Sequence, residues 1–307
     1  MRPSRSKCLG FTLVELVVSI TLLAILAMVA VPMLSLPMSA YMDAALRSDL
    51  RSEMDTAAAK LRDDLAQAMP NSVRVWPAPP LVPRFLEYLE VRAYGRYRWG
   101  PGSVPGPSCP AACGSNDELV PACADNCFVT LGPLQGGAPV PGADYVVVTP
   151  GGGVNLYANG AATPPGDVKA RLQSVTPIAS DSGGGSRITI TPHQFSNHSA
   201  NRQFYIVATP VTYECDPATR RLTRYWGYPI AALQPTAFGA GVARAPLATI
   251  VTACRFGYTP TPPPTPPGAA TRGGVVSMWL RFTRQSLGTG FEESVESLAE
   301  FSVKEPA

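Results

Sequence analysis

The chain has 307 residues, enough for one large domain or two small ones, and its 33 prolines and 27 glycines favour short strands and long turns over a helical bundle. Its net charge of +3 equals the contribution of Arg2, Arg5 and Lys7, which are the only charges among the first ten residues. Without those residues the chain would be neutral at pH 7, which argues against a broad surface for nucleic acid.

An apolar segment runs from Phe11 to Leu36 and contains one charge, Glu15. Its length suffices for a membrane-spanning helix, which needs about 20 residues. The basic residues before it predict a cytoplasmic N-terminus, with the rest of the chain outside the inner membrane. A secretory signal peptide and a plain signal anchor are simpler alternatives, but neither explains Gly10 before the segment or a carboxylate within it.

The pattern becomes amphipathic after Pro37, because apolar residues then recur at steps of three or four with charged residues between them. Pro70 ends this pattern. We therefore expect one helix from Phe11 to Met69, with an assembly part (11–36) and an amphipathic part (37–70) that packs on a sheet. The apolar stripe consists of Tyr41, Met42, Ala45, Leu46, Leu50, Met54, Ala57, Leu61, Leu65 and Ala68.

The remainder, residues 71–307, is predicted to be a β-rich head. Its β-branched and aromatic runs predict strands at Phe85–Tyr94, Asp144–Thr149, Arg187–Thr191, Gln203–Thr209, Leu222–Trp226 and Val275–Thr283. No strand–helix alternation is present, so the expected fold is α+β with an antiparallel sheet. Exposed loops rich in proline and glycine are predicted at Pro101–Pro110, Leu131–Pro141, Gly151–Gly166 and Thr259–Gly268.

Six cysteines follow the apolar segment, and an even number in an exported domain predicts disulfides. Four of them lie in one loop, 109–127, where four thiolates could instead hold zinc. Disulfides are favoured because the loop is predicted to lie outside the cytoplasm, and we expect no metal. The preferred pairs are Cys109–Cys127, Cys113–Cys123 and Cys215–Cys254.

The two histidines, His193 and His198, lie in a polar stretch and are predicted to be solvated loop residues. No catalytic, phosphate-binding or dinucleotide-binding motif of standard form is present. The sequence therefore predicts a protein that is not an enzyme and has neither a cofactor nor a small-molecule substrate.

One short segment suggests a ligand surface. Arginines and aromatic residues alternate from Arg92 to Trp99, as they do in proteins that bind single-stranded nucleic acid. Arg96, Arg98 and Trp99 are the candidate contacts for DNA or a surface glycan. The simpler explanation is the half-exposed end of a strand.

The run Gly10-Phe11-Thr12-Leu13-Val14-Glu15 resembles the processing site of type IV prepilins and type II secretion pseudopilins. The resemblance implies that residues 1–10 are a leader, which prepilin peptidase removes between Gly10 and Phe11 before it methylates the new terminus. It also implies a pilin-like fold and partners among other major and minor pilins. Glu15 would then pair with the amine of Phe11 on a neighbouring subunit.

Several short blocks of the head resemble the O-type minor pilin of the mannose-sensitive haemagglutinin (MSHA) pilus family. They imply a minor pilin that initiates or caps a pilus, first in the inner membrane and then in the periplasm or at the cell surface. A J-type minor pseudopilin and a ligand-binding tip subunit are the alternatives. The blocks are Ala68–Arg74, Asn201–Tyr205, Val211–Cys215, Leu222–Tyr228 and Cys254–Tyr258.

Overall fold

A computed structural model describes residues 12–69, 71–98, 118–120, 124–148, 156–157, 168–178, 184–195, 199, 201–260, 273–285, 290 and 292–304. Within these ranges the chain forms one helix and thirteen strands. They are α1 (Leu13–Leu65), β1 (Arg74–Trp76), β2 (Phe85–Arg96), β3 (Asp125–Val129), β4 (Gln135–Gly136), β5 (Tyr145–Val148), β6 (Lys169–Pro177), β7 (Ser186–His193), β8 (Gln203–Asp216), β9 (Arg221–Trp226), β10 (Ala243–Ala248), β11 (Val251–Pro260), β12 (Gly273–Gln285) and β13 (Glu292–Lys304).

The chain divides into two compact units. One contains the helix as far as Ser52 together with residues 283–295, and in it Arg47 pairs with Glu293 at 2.8 Å. The other contains the rest of the helix and nearly all of the strands. This combination of one long N-terminal helix and a large antiparallel sheet confirms the α+β class.

The helix ends at Leu65, so the predicted end at Met69 was wrong. The reason is a competing set of backbone hydrogen bonds. The Met69 amide donates to the Leu89 carbonyl and the Val91 amide donates to the Gln67 carbonyl, each at 2.7 Å. The segment after the helix therefore lies along β2 instead of completing another helical turn.

The larger sheet is built around β8, its longest strand. The strand pairs with β2 along one side, and on its other side it pairs first with β5 and then with β9, all antiparallel. Beyond β5 the sheet continues through β6 and β7 to β3. Every residue of β8 from Phe204 to Val207 is buried, as expected for a strand that is covered on both faces.

The smaller sheet contains β11, β12 and β13 in that order. A disulfide between Cys215 in β8 and Cys254 in β11 joins it covalently to the larger sheet. A backbone hydrogen bond from the Phe256 amide to the Pro83 carbonyl, 3.0 Å long, adds a second link between β11 and the loop after β1.

All six predicted strands are present, whereas three predicted loops were wrong in part. Gln135 and Gly136, within the predicted loop Leu131–Pro141, form β4 and pair with β2. Thr259 and Pro260 belong to β11 because they pair with Val275 and Gly274 of β12. Tyr157, placed by sequence in an exposed loop, is buried and donates its hydroxyl to the Ser72 carbonyl at 2.7 Å. A further predicted loop, Pro101–Pro110, lies outside the described residues.

Candidate functional site: an apolar stem with one carboxylate

The first third of α1 has the length and composition of a membrane span. The 18 residues from Leu13 to Ala30, here called the stem, are helical and apolar apart from Glu15, Ser19 and Thr21, and none of the stem is buried within the chain. A folded protein rarely exposes such a continuous apolar surface to water, so the stem requires lipid or another apolar partner. The helix is therefore consistent with an anchor in a membrane.

The hydroxyl groups of the stem are satisfied by the helix itself. Ser19 donates its hydroxyl to the Glu15 carbonyl at 2.7 Å, and Thr21 donates to the Val18 carbonyl at 2.9 Å. Thr12, just before the helix, accepts from the Glu15 amide at 3.3 Å and so caps the first turn. None of these hydroxyls needs a partner outside the helix.

The Glu15 carboxylate differs from them, because it has no hydrogen bond or ion pair among the described residues. It is exposed in the first turn of the helix, where the positive end of the helix dipole favours an anion. In an apolar environment a carboxylate without a partner costs several kcal/mol. Glu15 therefore needs a cation that the described residues do not supply. The predicted cleavage residues, Gly10 and Phe11, lie outside the described residues.

The second half of the helix carries a carboxylate that is fully partnered. Asp64 accepts hydrogen bonds from Lys60 at 2.6 Å, from the Tyr213 hydroxyl at 2.7 Å and from Arg224 at 2.5 Å. Burial raises the pKa of Asp64, but these three donors outweigh burial and hold the pKa below its ordinary value. We call these four residues the Asp64 cluster; it fixes the helix to β8 and β9, and sequence reasoning missed it.

A second ion pair, with a buried carboxylate, joins β1 to β2. Arg74 bonds to Glu87 at 2.7 Å and its guanidinium lies 3.6 Å from the centre of the Tyr157 ring. The same guanidinium donates to the carbonyls of Ala231 and Ala232. Burial raises the pKa of Glu87 despite this pairing. These contacts hold β1 against the loop after β9, so we assign them a structural role.

The predicted arginine–aromatic surface is not continuous in the structure. Arg96 is exposed at the end of β2, but Tyr97 is fully buried and its ring meets Phe128 edge-on. Arg98 is only partly exposed, Arg92 pairs with Asp144 at 3.0 Å, and Trp99 lies outside the described residues. A stacking ladder of alternating side chains is therefore interrupted at Tyr97.

The cysteines fall into two groups. Cys215 and Cys254 form the disulfide between the sheets, and Cys127 in β3 is also disulfide-bonded. The other three cysteines of the 109–127 loop lie outside the described residues, so its pairing stays a prediction. No cluster of potential metal ligands occurs within the residues that the structure describes.

His193 is not the solvated loop residue that the sequence predicted. It ends β7 and is buried, with its ring edge-on to Phe195 at 4.7 Å. The prediction failed because Asp125 of β3 pairs with His193 and extends the sheet over this position. His198 lies outside the described residues.

Comparison with known proteins supports the interpretation of the stem. The model of the prokaryotic N-terminal methylation motif matches residues 5–31. This motif indicates a type IV pilin-like or pseudopilin protein, and it covers Gly10, Phe11, Glu15 and the stem. No curated protein matches the chain, and no solved structure matches it.

Proposed function

We propose that the chain is a minor pilin of an MSHA-like type IV pilus, which initiates or caps the filament and has a structural role, not an enzymatic one. The observation that carries the proposal is the exposed apolar stem with Glu15 as its one unpartnered charge. Such a helix is stabilised most when sister helices bury its apolar surface and one of them supplies a cation for Glu15.

The processing step supplies that cation. Prepilin peptidase on the cytoplasmic face cuts between Gly10 and Phe11, removes the leader and methylates the amine of Phe11. The Glu15 carboxylate of one subunit then pairs with the Phe11 amine of its neighbour in the filament. Because the pair forms in an apolar environment, both groups are stabilised only when the two helices are in register.

The head supports a subunit of low copy number. It has two sheets and is far larger than the helix it covers, which suits a component of the tip better than a repeating shaft subunit. Two of the blocks that resemble O-type minor pilins contain Tyr213 and Arg224 of the Asp64 cluster, and a third covers the start of β8. A fourth lies in β11 and contains Cys254 of the disulfide. The resemblance therefore falls on strands that hold the head together.

Substitution of Glu15 tests the assembly step. We expect Glu15→Val to be cleaved normally, since the peptidase acts before assembly, but to enter sheared filaments at least tenfold less than the wild type. Glu15→Asp keeps the charge and is the matched control, with a smaller loss. Mass spectrometry of the N-terminus measures cleavage and methylation, and immunoblots of sheared filaments measure incorporation. Normal incorporation of Glu15→Val would contradict the proposal.

A complementation experiment separates the pilus from the main alternative. A J-type minor pseudopilin would carry the same N-terminal motif, so the stem does not distinguish the two. We expect this chain to restore piliation in a strain that lacks the O-type minor pilin of an MSHA-like pilus. Restored secretion in a strain lacking the J-type pseudopilin, without restored piliation, would assign the chain to the secretion system.

A further inference from the structure

The connection between β9 and β10 is much longer than the two strands require. Trp226 at the end of β9 lies directly opposite Ala243 at the start of β10, so a tight turn could join them. Residues 227–242 intervene instead, all of them described and none in a helix or strand, and we call them the flap. A long irregular connection of this kind is uncommon in a compact domain unless it has a function.

The flap folds back over one face of the larger sheet. On that face a row of side chains crosses four neighbouring strands, because each member lies directly opposite the next. Phe238 of the flap stacks on Tyr225 with ring centres 4.1 Å apart, and Tyr228 of the flap shares a hydrogen bond with the Thr212 hydroxyl. The flap therefore covers the row, which consists of Arg74, Glu87, Thr212 and Tyr225.

Side chains, not backbone pairing, hold the flap in place. Tyr228 and Ile230 are buried, and Arg74 donates to the carbonyls of Ala231 and Ala232. Within the described part of the chain, no backbone hydrogen bond joins the flap to the sheet. A segment held by a few side-chain contacts can open as a unit while the strands beneath it stay paired.

Glycines lie at both ends of the flap. Gly227 has a φ of +80°, a left-handed conformation that favours glycine. A Cβ at Gly239 or Gly241 would meet no atom of the described residues within 4 Å, and neither glycine has a positive φ. Neither packing nor backbone conformation therefore requires glycine at these two positions. What they add is freedom of the backbone, which is the property of a hinge.

Glu87 lies in the middle of the covered row and is completely buried. Arg74 of β1 pairs with it at 2.7 Å, the Tyr228 hydroxyl of the flap donates to it at 3.1 Å, and the Tyr157 ring lies against the same guanidinium. Burial raises the pKa of Glu87 above its ordinary value of 4.5, although Arg74 and Tyr228 act in the opposite direction. The carboxyl group is thus less easily ionised under the closed flap than in water.

Opening of the flap would remove the cause of that shift. With Tyr228 withdrawn, water reaches Glu87 and its pKa returns towards 4.5. The closed flap therefore binds this proton more readily than the open flap, so protonation favours closure and loss of the proton favours opening. The contribution of Glu87 to closure is complete below pH 4.5 and is lost as the pH rises through the higher pKa of the closed state.

We propose that the flap is a hinged cover, closed in acid and opened increasingly as the pH rises, whose opening exposes the row beneath it. The open state presents two aromatic rings, Tyr225 and Phe238, beside the Glu87 carboxylate. This device goes beyond the proposed pilus function and does not depend on the stem. A purified chain therefore tests it even if the pilus function fails.

Native-state proteolysis detects the open state, because a protease cuts a folded chain at a rate set by its open fraction when opening is fast. The full chain in detergent micelles is treated with thermolysin at about pH 5.5 and about pH 8, and mass spectrometry locates the cuts. Each rate is divided by that of a free peptide with the flap sequence at the same pH, which removes the pH dependence of the protease. We expect the corrected rate of cleavage within 228–238 to be at least fivefold higher at the higher pH.

Substitution of Glu87 tests the proton. Glu87→Gln keeps the shape of the side chain but removes its charge, so its corrected rate should stay low and agree within twofold at the two pH values. Asp144→Asn is the matched control, because Asp144 is also a buried carboxylate that pairs with an arginine, Arg92 at 3.0 Å, but is not part of the row. It should keep the pH dependence of the wild type.

A hinge variant keeps the proposal testable if Glu87→Gln does not fold. Gly239→Ala/Gly241→Ala places two methyl groups where they meet no atom of the described residues, so the melting temperature should be unchanged while the hinge stiffens. We expect its corrected rate at the higher pH to be at least threefold below that of the wild type.

Any of five results would overturn the proposal. They are a wild-type rate that does not rise with pH, wild-type pH dependence in Glu87→Gln, loss of that dependence in Asp144→Asn, a wild-type rate in the hinge variant, and cuts spread through the strands as readily as in the flap. The last result would show that the chain is cut after global unfolding and not after movement of the flap.

Discussion

The two parts of α1 have the same backbone but opposite surroundings. Leu23 in the stem is 63% exposed, whereas Leu61 in the later part of the helix is completely buried. The stem is apolar on every side, so one sheet could not cover it. The later part has one apolar stripe, which the chain's own strands cover. The arrangement of apolar residues around the helix thus separates a part that needs partners from a part that does not.

The charged residues show the same difference. Asp64 has three hydrogen-bond donors from its own chain, whereas the Glu15 carboxylate has none among the described residues. Both carboxylates are on one helix, and both are placed in or beside apolar surroundings. The first is satisfied by folding, and the second needs a cation that the described residues do not supply.

Substitution of Asp64 should give the largest effect on the stability of the head. Asp64→Ala leaves Arg224 and Tyr213 without their acceptor, and breaking a buried ion pair in this way costs about 3–5 kcal/mol. Asp63, the neighbouring exposed aspartate, is the control, and Asp63→Ala should change stability by less than about 0.5 kcal/mol. Chemical denaturation followed by near-UV circular dichroism measures both variants. Equal stability of the two would show that the cluster does not hold the helix.

A pair of leucine substitutions compares the two parts of the helix directly. Leu61→Ala creates a cavity in the core and should cost about 2–5 kcal/mol of unfolding free energy. Leu23→Ala removes the same atoms from the exposed stem and should leave the denaturation midpoint of the head unchanged. If Leu23→Ala were equally destabilising, the stem would be packed within the chain.

Removal of the Cys215–Cys254 disulfide should have a somewhat smaller effect. A closed loop of this size stabilises a fold by about 2–4 kcal/mol through restriction of the unfolded chain. The double variant Cys215→Ala/Cys254→Ala should therefore unfold earlier in denaturant. The wild type in reductant, with its mass confirming reduction, is the comparison. An unchanged midpoint would show that the contacts between the sheets suffice without the covalent link.

The smallest effect expected is on the pH dependence of stability. The pKa of Asp64 is lower in the folded chain than its ordinary value of 3.8, so the folded state binds this proton less readily than the unfolded state. Asp64 therefore stabilises the fold above pH 3.8, and the contribution is lost as the pH falls through the folded pKa. Between pH 5 and 3, stability should fall less steeply in Asp64→Asn than in the wild type. Parallel curves of unfolding free energy against pH for the two proteins would show that Asp64 does not cause this pH dependence.

Local patterns predicted much of this structure. The change from all-round to one-sided apolar residues located both parts of α1, and β-branched runs located six strands. β13 was missed because the segment Glu292–Glu300 contains four glutamates and one β-branched residue, Val295. It is a strand because it pairs with β12.

The candidate site was predictable to different degrees. Glu15 was predicted as a site residue because a fixed spacing relates it to Gly10 and Phe11. The Asp64 cluster was not, because Tyr213 and Arg224 are 149 and 160 residues away in sequence and only the fold brings them to the helix.

The distance in sequence between Asp64 and its partners has a consequence for folding during synthesis. The amphipathic part of the helix is made early, but β8 and β9 begin only after about two-thirds of the chain, and Phe301, which Arg62 covers, comes almost last. Until those strands are made, Asp64 lacks Tyr213 and Arg224, and the apolar stripe from Met54 to Leu65 lacks part of its cover. Synthesis thus includes an interval in which that stripe is exposed to aggregation.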